Sequence, residues 1–533
     1  RQMCIRDSGD PMLGYRVFAL LSTIIQKKID LGLPAKWNRN YELGKNRHWR
    51  QASKKASLVS ANLLFTHRQR TTNMLTDNNP VFNIKATGQI DPAKEDLFES
   101  LLKVAQWWWA DQEQQAMLEK TVINGETYGL TIEKLVFNPE MEQCLGEDET
   151  VLIDPFHFGW WPVKQNDLAK CEAVFHYYPM TVREAKRRWP NYAEQIKSDK
   201  ELLEKLNDNR MEVQANSTGG RNAGYMTNFA NAVKQVLNLA GGADNSETED
   251  LLACECWVKD YSRASDGQTE TDLYPGNIRR VTVINGGELV VDDRANPSIN
   301  PNLNIEQAAQ TYCWDKFPFI KVHSVTDTSN PWGMSDFEQL EMLNIEINKT
   351  LSQFTMVKDK IARVKLINPK DSGVNNSELT NAPGILNPAN NLVAQGLRYL
   401  DPPRMDIDIA QALSVYKEFF FLVSGSFDLE QADTTGKNVI AYKAIAALIE
   451  RASTMMRGKI RNYSRLIRER GRMYLGLMQN WYDTERFITY EQEGDDITQA
   501  IHGTEMIIPS KLGVVSGSTM PISEIQMREE ALA

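Results

Sequence analysis

Long hydrophobic runs are missing from this chain. The longest early one, Val17–Ile25, is too short for a bilayer and runs into Lys27, Lys28 and Asp30 without a small-residue cleavage pattern. The sequence therefore gives no basis for membrane insertion or secretion. A cationic excess is missing too: 60 Lys and Arg stand against 70 Asp and Glu, for a net charge of -10. A protein that grips a duplex by neutralising phosphates is normally basic over the binding domain, so operator binding or non-specific duplex coating is disfavoured. Cysteine is sparse. Cys4, Cys144, Cys171, Cys254, Cys256 and Cys313 lie too far apart in 533 residues for a disulfide scaffold. Cys254 and Cys256 share one face of a strand-like run, but no second pair completes a zinc site, so thiols in the core or at the surface are expected.

Catalytic signatures are equally thin. The six histidines never form HExxH or an i,i+4 pair, so no metal is expected. Gly436-Lys437 is not a phosphate-binding loop, because Gln431 replaces its first glycine and Asn438 its magnesium-binding hydroxyl. Ser424-Gly425-Ser426 and Ser516-Gly517-Ser518 lack the nucleophile-elbow pattern and read as turns. Asp406 and Asp408 precede a helical pattern, where acids are stabilised by the helix dipole without any catalytic role. No enzyme activity and no cofactor are expected.

What is present is the composition of a folded chain, 42% apolar and 24% charged, long enough for roughly two to four packing units. Residues 46–74 have helical periodicity, DNNPVFNIKATG turns into a strand, and PAKEDLFESLLKVAQWWWADQEQQAMLEKTVINGETYGL predicts a helix pair. Trp107, Trp108 and Trp109 cannot share one helix face, so at least one meets another element or another subunit. Short strands follow over 131–180, with Thr181 placed to cap a helix. Residues 195–250 are polar, with a modest helix over 226–238 between insertions. LLACECWVKDY and NIRRVTVINGGELVVDD read as meander strands around a Gly-Gly turn. The fold class is α+β.

After Pro331 the pattern changes. Ser335 and Glu338 form a capping box, and Leu340, Leu343, Ile347, Leu351 and Phe354 line one side of a long helix. Strand fragments separated by Asn, Pro and Gly lead to a second helix carrying Ile409, Ala412, Leu413, Tyr416, Phe419 and Phe420. Two helices around a small β-rich excursion predict a projecting arm. Residues 437–479 contain no proline and could span roughly 65 Å as a helix. That helix carries Arg451, Arg457, Lys459, Arg461, Arg465, Arg468, Arg470 and Arg472 against the single acid Glu469. Such a field could face water or salt-bridge partners, phosphates, or acidic neighbouring subunits.

The order of these features resembles the portal protein of tailed bacteriophages, the head-to-tail connector. The likeness runs from about Asn46 to Ala533. It is carried by NRHW and ANLLF, the IDP at Ile153 to Pro155, MTVREAKRRWP, ECWVKDY, FPFIKVHSV and PWGMSDFEQLEMLNIEINKTLSQF. FFFLVSGSFD, TTGKNVIAYKAIAALIERA and VVSGSTMPISEIQMREE continue the order. The resemblance implies a wing (46–333 and 437–525), a first stem helix (334–358), a β-containing clip (359–404), a second stem helix (405–424) and a tunnel loop (425–436). Residues 526–533 would begin a truncated C-terminal region, and 1–45 have no counterpart. Ser424, Gly425 and Gly436 would break the helices, and Asp428, Glu430 and Asp433 would border the channel with Lys437 as a counterweight. The implied assembly is a ring of this chain, usually twelve copies, at the unique portal vertex of the virion, formed in the host cytoplasm. Its implied partners are double-stranded DNA, the terminase large subunit, head-completion or tail adaptor proteins, and capsid and scaffolding proteins. The alternative is another viral capsid or tail structural protein, without a central hole.

Overall fold

A computed structural model describes residues 12–49, 58–86, 95–141, 145–199, 250–265, 270–362, 366–370, 375, 377, 398–399, 407–425, 442–492, 495–507 and 510–514. The helices are α1 (Leu13–Asp30), α2 (Leu33–Gly44), α3 (Leu63–Thr76), α4 (Glu95–Asp111), α5 (Gln114–Tyr128), α6 (Val182–Arg188), the single turn α7 (Ile305–Ala308), α8 (Asp336–Ala362), α9 (Ile407–Ser424) and α10 (Tyr442–Trp481). The strands are β1 (Phe82–Ala86), β2 (Leu130–Asn138), β3 (Glu147–Ile153), β4 (Phe158–Trp161), β5 (Ala173–Thr181), β6 (Asp250–Lys259), β7 (Arg263–Ser265), β8 (Glu270–Asp272), β9 (Ile278–Ile284), β10 (Leu289–Ala295), β11 (Phe319–His323), β12 (Leu366–Ile367), β13 (Arg398–Tyr399), β14 (Arg486–Gln492), β15 (Asp495–Ile501) and β16 (Ser510–Val514). The molecule is a mixed α+β fold.

One packing unit is the five-stranded antiparallel sheet β10-β9-β6-β5-β4. β9 and β10 form the expected hairpin around Asn285, Gly286 and Gly287. Cys254 and Cys256 do share a face of β6, buried with Phe175 and Val281, and the described cysteines are free and buried. The sheet is covered by α1, whose Leu13, Val17, Leu20, Leu21 and Ile24 recur at helical spacing and are buried against it. Residues 12–44 complete the core, with Trp37 of α2 edge-on to Phe156 and Trp332. A helix with one apolar face has to bury it against a partner, and that partner is a sheet far along the sequence.

The second unit centres on α10 and the sheet β11-β2-β3. At about 1.5 Å per residue its 40 residues span roughly 60 Å. Trp108 stacks on Tyr474 with ring centroids 4.2 Å apart, Trp109 meets Phe82 edge-on at 5.7 Å, and Trp107 packs half-buried against the same cluster. The tryptophan triplet is thus shared between α10 and β1. Gly471 and Gly476 let neighbours approach: a Cβ at Gly471 would meet Leu512 at 2.4 Å and one at Gly476 the Cys313 sulfur at 2.6 Å. β1 pairs with β16, joining Phe82 to Val514 in register, and β14 pairs with β15 and packs on α4.

Candidate functional site: a helix pair and its polar root

α8 and α9 pack on each other and are linked through the small β12–β13 pair. α8 runs to Ala362, four residues past the boundary expected at 358. Leu340, Ile347 and Phe420 are buried in their seam, with Leu343, Leu351, Leu413, Tyr416 and Phe421 half-buried around them. Phe354 and Phe419, expected in the seam, are not there. They are 37% and 51% exposed. Successive helical residues point about 100° apart, so Phe420 on the seam turns Phe419 away from it. Val415, Phe419, Leu422 and Val423 form a second apolar line on α9 at positions i, i+4, i+7 and i+8, each at least 45% exposed, and Met342 of α8 is 64% exposed.

The root of the pair is a buried polar cluster. The capping box forms: the Ser335 N–H donates to Glu338 Oε1 at 3.3 Å and the Phe337 N–H to Ser335 Oγ at 3.1 Å. Ser335 Oγ in turn donates to the Glu126 carbonyl at 2.6 Å, tying α8 to α5. The Glu126 carboxylate accepts from Ser324 Oγ at 2.7 Å and from Lys459 Nζ. Lys459 also reaches Asp336 Oδ2 at 2.5 Å, and His67 Nε2 lies 2.9 Å from that oxygen. Burial works against the charge on Lys459, but Glu126 and Asp336 outweigh it and hold its pKa above the ordinary lysine value. Burial likewise opposes the Asp336 charge, yet the His67 hydrogen bond and Lys459 bring its pKa below the usual carboxylate range. A cavity of about 610 Å³ lies against this cluster, between Asp336 and Leu340 of α8, Val423 and Ser424 of α9, and Lys459 of α10.

α9 ends at this cavity. The Gly425 N–H donates to the Leu422 carbonyl at 3.3 Å, Ser424 Oγ donates to the Phe421 carbonyl at 3.1 Å, and Gly425 turns left-handed at φ 71°. Glycine takes that backbone conformation without steric penalty, which is why helices commonly stop at one. Asp428, Glu430, Asp433, Gly436 and Lys437 lie outside the described residues, as do most of 359–404 and the helix expected over 226–238.

The basic run on α10 divides into two faces. Lys459, expected with the others, is instead in the buried root, and Arg470 is fully buried against Glu133, donating through Nε at 2.9 Å and through Nη2. Arg457, Arg461, Arg465, Arg468 and Arg472 share the opposite face at helical spacing. Arg472 donates to the Leu512 carbonyl at 3.0 Å and pairs with Glu469, while Arg457, Arg461 and Arg465 are exposed. Arg451 lies within α10, but its side chain is outside the described residues.

One arrangement was not read from the sequence. Asn344, Asn348 and Ser352 repeat every fourth residue along α8 and accept backbone N–H groups of Leu63, Ala61 and Val59 at 3.2, 2.7 and 2.9 Å. Asn344 also donates to His48 Nδ1 at 3.0 Å. Polar residues at that spacing beside an apolar line were the available signal. Among the described residues no group of His, Cys, Asp and Glu could hold a metal ion, and no helix is long and apolar enough to cross a membrane. The chain matches no model of a known protein family and no curated protein.

Proposed function

We propose that this chain is a portal subunit, a structural protein whose copies close into a ring through which double-stranded DNA is packaged, retained and ejected. In this reading α8 and α9 are the stem, the segment between them is the clip, α10 and the sheets form the wing, and 425–436 is the tunnel loop. The terminase large subunit docks on the clip during packaging and adaptor proteins replace it afterwards. Capsid and scaffolding proteins surround the wing. The chain acts without covalent catalysis or a cofactor.

The observation that carries the reading is the outer face of α9. A helix apolar on two sides, with one side covered by its own chain, calls for a second covering surface. The exposed Met342 and Phe354 of α8 in the next copy offer one. Such a contact joins two different patches and repeats head to tail, which closes as a ring when the rotation allows. The acidic balance suits passage, since a channel that bound phosphates tightly would hold the duplex back.

The test is the mass of purified protein in solution. The intact chain assembles into a multi-copy ring, and Phe419→Asp with Leu422→Asp leaves folded single chains. An intact chain that stays single at high concentration contradicts the proposal. Replacing Asp428, Glu430 and Asp433 with lysine should slow packaging and change its salt dependence; packaging unchanged at every salt concentration would reject the role assigned to those acids.

A further inference from the structure

A separate cavity of about 480 Å³ opens beside β11, lined by Asp167 and Ala169, by Lys316, Phe317 and the strand β11 itself, and by Arg465 and Glu469 of α10. β11 is the outer strand of its sheet, so this is where the sheet edge, the turn at Leu168–Lys170 and the arginine face of α10 meet. Three cations line it: Lys316, Lys321 and Arg465. Lys321 lies with its Nζ 4.0 Å from the centre of the Trp160 ring and makes one hydrogen bond, to the Pro331 carbonyl at 3.3 Å. An ammonium has three donors, so Lys321 keeps donors to spare. Arg465 is exposed and has no partner among the described residues.

Lys316 pairs with Asp315 at 3.4 Å, but the acids that line the pocket do not cancel the charge of Lys321 and Arg465. Glu469 is already engaged by Arg472 at 3.3 Å, Arg468 at 3.6 Å and the Tyr312 hydroxyl. Asp167, at the rim, accepts the Ala169 N–H at 3.0 Å. Lys321 and Arg465 therefore act on each other as like charges. Burial lowers the Lys321 pKa to about 8, with Arg465 adding to the shift while Cys171 and Asp167 oppose it, and His323 falls to about 4 through burial and then Lys321. An anion placed between these donors would relieve the repulsion and complete their hydrogen bonds.

We propose that this pocket binds a phosphate group, as inorganic phosphate or as the phosphomonoester of a small organic molecule, held by Arg465, Lys321 and Lys316. The volume suits a small ligand rather than a chain segment, and the site is independent of ring assembly. The test is calorimetric titration of the full chain with inorganic phosphate and, separately, with adenosine monophosphate at neutral pH. Saturable binding is expected, weakened at least about tenfold by Arg465→Gln, whose exposed side chain leaves the fold intact. Lys321→Met should weaken it as well, with near-ultraviolet circular dichroism reporting that the fold survives. Tighter binding of the monophosphate identifies an organic phosphate; equal affinities identify the free anion. No saturable binding of either ligand up to about 10 mM, or unchanged affinity in a folded Arg465→Gln protein, overturns the proposal.

Discussion

Lys459 shows how one residue decides the geometry around it. Its neighbours at the same helical spacing, Tyr463 and Ile467, are buried, so its charge had to be brought into the core with two carboxylates rather than left among the arginines. Breaking a buried ion cluster by removing one partner leaves uncompensated charge. Lys459→Met should therefore lower stability by about 3–5 kcal/mol in denaturant titration, and a loss below 1 kcal/mol would show the cluster to be energetically idle. Asp148 gives the second prediction at this scale. It is 3% exposed and neither carboxylate oxygen has a hydrogen-bond partner among the described residues. Burial, aided by Glu147 and opposed by Arg486, raises its pKa well above the ordinary carboxylate value, and Tyr474, Tyr482 and Cys313 are the other titratable groups near it. A carboxyl whose folded pKa is raised stabilises the unfolded chain as it ionises. Stability falls as pH climbs from the usual carboxylate range toward the raised folded value and then levels off. Asp148→Asn should flatten that part of the melting-temperature profile; an unchanged slope would mean Asp148 is not its source. Neither effect was legible in the sequence, because the alternation and spacing that mark burial do not say which acid or base will find a partner.

At the scale of elements, the seam between α8 and α9 and the exposed line on α9 should respond oppositely to mutation. Ile347→Ala, in the seam, should destabilise the chain by about 2–5 kcal/mol. Phe419→Ser should change the stability of the single chain by no more than about 0.5 kcal/mol and yet impair assembly. Equal destabilisation by both would place Phe419 in the chain's own core. The seam was readable from periodicity: Leu340, Ile347 and Phe420 fell where the 3.6-residue repeat put them. The outer line was not, because Phe419, Phe420 and Phe421 are all apolar and periodicity cannot say which of two apolar faces the chain itself covers. The ends of α8 and α9 were marked by chemistry with one physical meaning each, a Ser-x-x-Glu cap and a glycine turn. The arginine run was misread in part for the opposite reason. Charge was counted along the sequence, whereas the helix distributes it around an axis, sending Lys459 and Arg470 inward.

Across the whole molecule, the strands and their hairpins were visible locally, but the pairings that assemble them were not. β1 with β16 and β11 with β2 join distant stretches whose composition carries no mutual signal. The same blindness hid α1, whose apolar face has meaning only once the sheet of β4, β5, β6, β9 and β10 exists to receive it. In the proposed assembly the exposed face of α9 has the corresponding part: it is an apolar surface that none of the described residues covers. Rotationally averaged negative-stain images of the purified protein test this most directly. The intact chain should give a ring pierced by a central hole, lost when Phe419 and Leu422 become aspartate; compact particles of single-chain mass from the intact chain at high concentration would contradict the proposed assembly.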